Sequence, residues 1–154
     1  IDDVLHLLAS DLRNREIRVH FKRCEPLTKV LGDGVQLRQV IINLLRNAED
    51  AIASAGDTQR EIHISTSQPD ESRIAISIRD SGVGVNEPDL DRIFEHFVSS
   101  KPQGLGMGLA ISRSIVEAHG GRIWATRNDG RGLTLQLEIP AAAGNALVEV
   151  SAVA

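Results

Sequence analysis

The sequence holds a single cysteine, Cys24, so it can build neither a disulfide framework nor a cysteine-ligated zinc cluster. A reducing compartment is the expectation, and the cytoplasm the expected location. No apolar run approaches the roughly 20 residues of a membrane span, and Ile1 opens the chain with neither a basic region nor a signal pattern. Positive charge is not in excess either: 17 Lys and Arg stand against 21 Asp and Glu, a formal charge of −4. Nucleic-acid-binding modules are usually basic, so neither nucleic acid nor a membrane surface is an expected partner. With no initiator methionine, the sequence is expected to be a piece of a longer protein. What is present suits one soluble domain, at 42% hydrophobic and 25% charged residues. Residues 1–140 are expected to form it. The small, apolar stretch 141–154 is expected to be a tail without defined structure.

Periodicity supplies the elements. Val4, Leu7, Leu8 and Leu12 recur at helical spacing, and "IRVHF" (17–21) alternates like a half-buried strand. The strongest helical pattern runs from Val35 to about Ala53. "EIHIS" and "SRIAISIRD" read as two strands joined at Pro69–Asp70. A long loop punctuated by glycine and proline follows, with one short helical patch at 90–94. Its length marks it as functional or disordered. The next helix, "GLAISRSIVEAHGG", presents Ile111, Ile115 and Ala118 on one face and stops at Gly120–Gly121. "RIWATR" and "LTLQLEI" close the pattern as strands on either side of "NDGRG". Strands joined by short turns, with few helices between them, predict an α+β fold. We expect a two-layer α/β sandwich with a mixed, mostly antiparallel sheet and helices on one face.

Three groups of residues carry chemistry. In "LRQVIINLLRNAEDAI", Asn43 and Asn47 stand four apart beside a buried stripe of Leu37, Val40, Ile41, Leu44, Leu45, Ala48 and Ile52. Asparagine is a mediocre helix former, so the pair is either two exposed polar positions or a paired amide site for a hard cation or a phosphate. Asp80 shares the parity of Ile74, Ile76 and Ile78, at the end of a core-facing row. A carboxylate there is costly unless something donates hydrogen bonds to it, although "DSG" is also an ordinary turn sequence. Gly82 and Gly84 then remove side chains from its neighbourhood. Finally, "GLGMGLAI" sets Gly104, Gly106 and Gly108 at alternate positions before a helix. The spacing fits neither the dinucleotide fingerprint nor a P-loop. It leaves bare amides at a helix start, which favour an anion.

The paired-Asn helix, "DSGVG", "RIFEHFVSSK" and "GLGMGLAI" occur in that order. Together they resemble the N, G1, F and G2 boxes of the catalytic and ATP-binding domain of sensor histidine kinases, within the GHKL superfamily of Bergerat-type ATP-binding folds. The resemblance runs from Gly32 to Pro140. It implies that ATP and Mg²⁺ are the cofactors, and that Asp80 accepts from the adenine amino group. Asn47 would bind Mg²⁺, with Asn43 supporting the triphosphate. Gly82 and Gly84 would let the base lie flat, while Gly104, Gly106 and Gly108, with Leu109 beside them, would meet the phosphates. Residues from about 85 to 103 would be an ATP lid hinged on Phe94 and Phe97. Lys101 is either a lid cation or a solvated loop lysine, and Thr134 would touch the adenine edge.

Two positions depart from the pattern. Asp50 stands where many members carry Lys or Arg, and His96 where Pro is frequent. Relatives of the gyrase type need a glutamate one turn before the magnesium asparagine to deprotonate water. Asn43 occupies that position, and an amide cannot accept the proton. Transfer to histidine is therefore expected rather than hydrolysis, with a degenerate ATP-sensing scaffold or a gyrase-type ATPase as the alternatives. No histidine here sits in an acceptor pattern: His6, His20, His63 and His119 are expected at surface or packing positions. The implied partners are the dimerisation and phosphoacceptor helices of a parent kinase, which itself can be membrane-anchored, and a downstream response regulator. A dimer is expected only in that parent.

Overall fold

The computed structural model describes residues 1–30, 32–56, 59–95 and 107–142. Three helices are formed among them: α1 (Asp2–Asn14), α2 (Gly34–Ser54) and α3 (Gly108–Ala118). Five strands, β1 (Arg18–Lys22), β2 (Glu61–Asp70), β3 (Arg73–Asp80), β4 (Arg122–Arg127) and β5 (Leu133–Pro140), make one sheet in the order β1-β2-β3-β5-β4. β1 runs parallel to β2 and the other pairings are antiparallel. Two short 3₁₀ turns, Glu87–Asp89 and Arg92–Phe94, occupy the helical patch expected in the long loop.

One face of the sheet carries the core and the other is open. Ile62 and Ile64 of β2, Ile74 and Ile78 of β3, and alternate residues of β5 from Leu133 to Ile139 are buried beneath the helices. α2 lays Val40, Ile41, Leu44, Leu45, Ala48 and Ile52 on that layer, the stripe its spacing predicts. Its start is fixed locally: the Asp33 carboxylate accepts from the amides of Val35 (2.8 Å) and Gln36 (3.2 Å), an N-cap that satisfies two donors with no helical partner. His119, at the far end of α3, accepts from the Asp33 amide through Nε2 (3.0 Å) while Nδ1 meets the Ile115 carbonyl (2.7 Å). The start of α2 is thereby tied to the end of α3.

Several elements differ from expectation. Leu7 is 68% exposed, because Val4, Leu8 and Leu12 already fill the contact that α1 makes. β2 runs on to Asp70, so the turn is Glu71–Ser72, where the Asp70 carboxylate accepts from the Ser72 amide (2.7 Å). Pro69 sits in an irregularity of the ladder between Ser67 and Asp70, where its missing N–H is tolerated. On α3 the buried side chains are Ala110, Ser112 and Val116, while Ile111 is 43% exposed. Pairing also continues past 140: the amides of Ala141 and Ala142 donate to the carbonyls of Ser72 and Lys29. Residues 143–154, most of the expected tail, lie outside the described residues.

One charged side chain is buried without full satisfaction. Glu49, on the α1 side of α2, is 3% exposed; its Oε2 lies 3.8 Å from Arg15 Nε, and its Oε1 has no hydrogen-bond partner. Burial holds its carboxyl above the ordinary glutamate range, against the opposing charge of Arg15. Arg15 also pairs with Asp50 at 3.2 Å.

Candidate functional site

Positions 43, 47 and 51 fall one turn apart along one edge of α2, a span of about 12 Å at 1.5 Å per residue. Each end of that edge is met by a different part of the chain. At position 43, the Asn43 amide nitrogen donates to the Gly108 carbonyl (3.2 Å) and to Ser112 Oγ (3.3 Å), and its oxygen accepts from Gln39 (2.9 Å). Asn43 is thus committed to holding the first turn of α3. The same contacts explain why Ser112, a polar residue, takes the most buried place on α3: its hydroxyl donates to the Gly108 carbonyl at 2.9 Å.

At the other end, the segment after β3 lies against Ala51. The Val83 amide donates to the Ala51 carbonyl (3.2 Å), and a side chain at Gly82 would come within 2.5 Å of the Ala51 backbone. Packing against α2 is therefore what demands glycine at 82. At Gly84 an added Cβ would meet the Gly132 carbonyl at 2.9 Å. Between the two ends stands Asn47, half-buried, with no hydrogen bond from its amide to a described residue.

Asp80 ends the core-facing row of β3 and is 5% exposed. Its cost of burial is offset by main-chain donors: Oδ1 accepts from the amides of Gly82 (2.8 Å) and Leu133 (3.3 Å). Burial nevertheless pushes its carboxyl above the ordinary aspartate range, with those two hydrogen bonds pulling the other way. The β4–β5 turn is pinned to the same place, since Asn128 Nδ2 donates to the Asp80 carbonyl (2.9 Å). Gly132, at φ +87°, passes so close that a Cβ would lie 2.0 Å from the Asp80 carbonyl oxygen. Gly132→Ala should accordingly lower stability by roughly 2–5 kcal/mol, through strain and overpacking together. Urea unfolding checks this, and an unchanged midpoint contradicts it.

Thr134 does not join this group. It pairs with Arg79 across the ladder and hydrogen-bonds Asn128 Oδ1 (2.6 Å) from the open face of the sheet. Leu133, one residue earlier, faces Asp80 instead. Strand alternation could have found it, because Leu133 shares the parity of Leu135 and Leu137. Gly108 opens α3, exposed, with no atom within 4 Å of where a Cβ would stand, so packing does not demand glycine there. Met107 gives the helix no side-chain cap, and helix-start amides favour an anion. Leu109, beside it, packs against the core. Phe94 is buried beneath the Arg113 guanidinium, 4.4 Å from the ring centre. Lys101, Gly104 and Gly106, together with His96 and Phe97, lie outside the described residues. A hollow on the open face, lined by His20, His63, Arg79 and Thr134, lies away from Asn47.

The chemistry along this edge is an amide with no hydrogen bond to a described residue, suited to a hard cation, a buried acid joined through Gly82 to the Ala51 end, and the start of α3 at the Asn43 end. Comparison with known proteins points the same way. Residues 32–143 match the family model described as histidine kinase-, DNA gyrase B- and HSP90-like ATPase. The sensor protein FixL of Bradyrhizobium diazoefficiens is 37% identical over 145 residues, which is 94% of this chain and 28% of FixL. The chain thus spans under a third of that relative's length. Among solved structures, full-length ShkA in complex with AMPPNP matches at a TM-score of 0.81 and 29% identity, over 94% of this chain and 30% of that one. The catalytic domain of histidine kinase ThkA matches at 0.77 and 32%, over 91% of this chain and 89% of that one. ThkA in complex with response regulator protein TrrA matches at 0.76 and 29%, over 92% and 39%.

Proposed function

Because this chain belongs to the histidine kinase-, DNA gyrase B- and HSP90-like ATPase family, and is similar throughout to histidine kinase catalytic domains, we propose that it binds Mg·ATP along the 43–47–51 edge of α2. From there it passes the γ-phosphoryl group to a histidine on separate dimerisation and phosphoacceptor helices of the same parent kinase. The observation that carries this reading is the order along that edge: the acid-bearing end of β3 at Ala51, a free amide at Asn47, and the start of α3 at Asn43. An extended nucleoside triphosphate has the same order of base, bridging phosphates and terminal phosphate.

Asp80 would accept from the adenine amino group while its Oδ1 stays anchored on Gly82 and Leu133. The Asn47 amide oxygen suits Mg²⁺, a hard cation that prefers oxygen donors. Once bound, Mg²⁺ would neutralise charge on the phosphate oxygens, the main demand of phosphoryl transfer. The α3 amides from Gly108 onward would take the terminal phosphates, with Gly104, Gly106 and Lys101 as further contacts. Asn43 would act by fixing α3 beneath them. No general base is needed for a histidine acceptor, since a neutral imidazole already offers a lone pair. The γ-phosphorus–oxygen bond to ADP breaks as the nitrogen–phosphorus bond forms. A response regulator would receive the phosphoryl group next, and the cytoplasm is where these partners meet.

Calorimetry with a non-hydrolysable ATP analogue and with a GTP analogue, each with Mg²⁺ and with EDTA, tests the binding step. Adenine-selective, magnesium-strengthened binding is expected, and equal affinity for both bases would overturn the assignment of Asp80. Adding acceptor helices in trans should yield phosphohistidine, whereas steady-state hydrolysis by this chain alone contradicts the role given to Asn43.

A further inference from the structure

The open face of the sheet carries a second constellation. His20 of β1 and His63 of β2 are direct partners in the parallel ladder, and Glu61 stands two residues before His63 on the same face. The two imidazoles stack with centroids 4.6 Å apart and planes 12° from parallel. Both turn Nε2 toward one carboxylate: His63 Nε2 is 3.3 Å from Glu61 Oε2, and His20 Nε2 is 3.9 Å from Oε1. One ligand atom from each of the three lies within 4.8 Å of the other two, the only such trio of His, Cys, Asp or Glu among the described residues.

We propose that His20, His63 and Glu61 form a binding site for a borderline divalent transition metal, of which Zn²⁺ is the probe. Two imidazole nitrogens and one carboxylate oxygen are a donor set that zinc uses with water in the remaining position. Imidazole suits zinc, copper, iron and nickel, whereas Mg²⁺ takes oxygen. The site is thus chemically distinct from the one proposed along α2, and it lies on the opposite face of the sheet. Neighbouring strands are held about 4.8 Å apart, so the backbone already sets the imidazoles side by side. Reaching metal–nitrogen distances of about 2.0–2.1 Å requires the two imidazoles to tilt out of their stack toward a shared point. The histidine side chains are 53% and 51% exposed, free to make that adjustment and open to solvent. Glu61 is held below the ordinary glutamate range, chiefly by a hydrogen bond from Gln59, then by His63, Arg18 and His20.

Three cations oppose the metal. Arg18 Nη2 lies 3.1 Å from Glu61 Oε1. Arg79, directly across the ladder from His63, and Lys22, two residues past His20 on the same face of β1, line the same hollow. They lower the affinity by repelling the ion and, at Arg18, by competing for the carboxylate. Because the ligands come from β1, at the sheet edge, and from β2, occupancy cross-links the only parallel pair of the sheet.

Titration of ZnCl₂ into the 154-residue chain, in excess Mg²⁺, should give one equivalent of binding. His20→Ala and His63→Ala should each weaken it at least tenfold, and Arg79→Ser should tighten it severalfold. Zn²⁺ should raise the melting temperature of the parent protein, and Mg²⁺ should not. Nucleotide binding by the same variants reports that they fold. In the unsubstituted protein, Zn²⁺ should move the imidazole NMR resonances of His20 and His63 and leave those of His6 and His119 in place. Absence of binding would overturn the proposal. So would an equivalent that survives both substitutions or shifts other residues.

Discussion

Asp80→Asn is expected to weaken adenine-nucleotide binding by about 30- to 100-fold while leaving the protein folded. The substitution keeps an oxygen at Oδ1, which still accepts from Gly82 and Leu133. It replaces the second carboxylate oxygen by an amino group, which would oppose the amino group of adenine. An unpaired buried donor costs roughly 1–3 kcal/mol, and each 1.4 kcal/mol is about tenfold in affinity. The pH dependence separates binding from folding. Asp80 titrates above its ordinary value in the folded protein because of burial, so between the unfolded and folded pKa the native state binds more protons. Its contribution is therefore fully favourable below the unfolded pKa, near 3.8, and is lost as pH rises through the folded pKa. A neutral side chain has no such loss. Relative to the parent, Asp80→Asn should gain stability as pH climbs from acid toward neutrality, in thermal melts over that range. A variant that loses both nucleotide and fold would mean that Asp80 is structural only.

Asn47→Ala should lower the rate of histidine phosphorylation by about 100- to 1,000-fold, the scale on which removal of one preorganised charge-stabilising group acts. The fold should not suffer, because the side chain makes no hydrogen bond to a described residue and alanine is the better helix former. Melting temperature should hold or rise slightly. The diagnostic reading is the effect of Mg²⁺ on affinity: the parent protein should bind the ATP analogue more tightly with Mg²⁺ than with EDTA, and the variant should show little difference. Retained magnesium dependence would move the metal to another ligand. Asn43→Ala should behave differently. It removes the donor to Gly108 and Ser112, so its damage should appear in the placement of α3 and in stability.

How much was legible in advance depended on the range of the interaction. Most of the α2 stripe follows from its period, but Leu37 is only half-buried near the helix start and Glu49 is buried outside the apolar pattern. α3 is less direct: of the face its spacing presents, Ile115 packs against the core, whereas Ile111 and Ala118 are exposed. Ser112 is buried between Ala110 and Val116, its hydroxyl satisfied by the carbonyl one turn earlier and by Asn43. A polar residue so partnered can displace an apolar one from the core, and the partner belongs to another helix. Thr134 follows from the resemblance, and it stands on the open face of the sheet, while Leu133 beside it donates its amide to Asp80. The glycines at 82 and 84 were read as clearance for a base. Gly82 is required by Ala51 and Gly84 lies against Gly132, contacts between segments that no local pattern encodes.

The sequence alone determined the inventory and its order: two amides one turn apart, an acid at the end of a core row, glycines before a helix and elements alternating into an α+β sandwich. These follow from periods of 3.6 and 2 and from the chemistry of single residues, which act over a few positions of chain. Only the tertiary structure decided that Asn43 clamps α3 while Asn47 makes no hydrogen bond to a described residue, and that the Asp80 row is closed by the amide of Leu133. It also decided that His20 and His63 stand side by side. Their adjacency depends on a parallel pairing with α2 lying between the two strands in the chain. Register across such a connection is set by packing of the whole sheet against its helices, so nothing near either histidine in the sequence announces it.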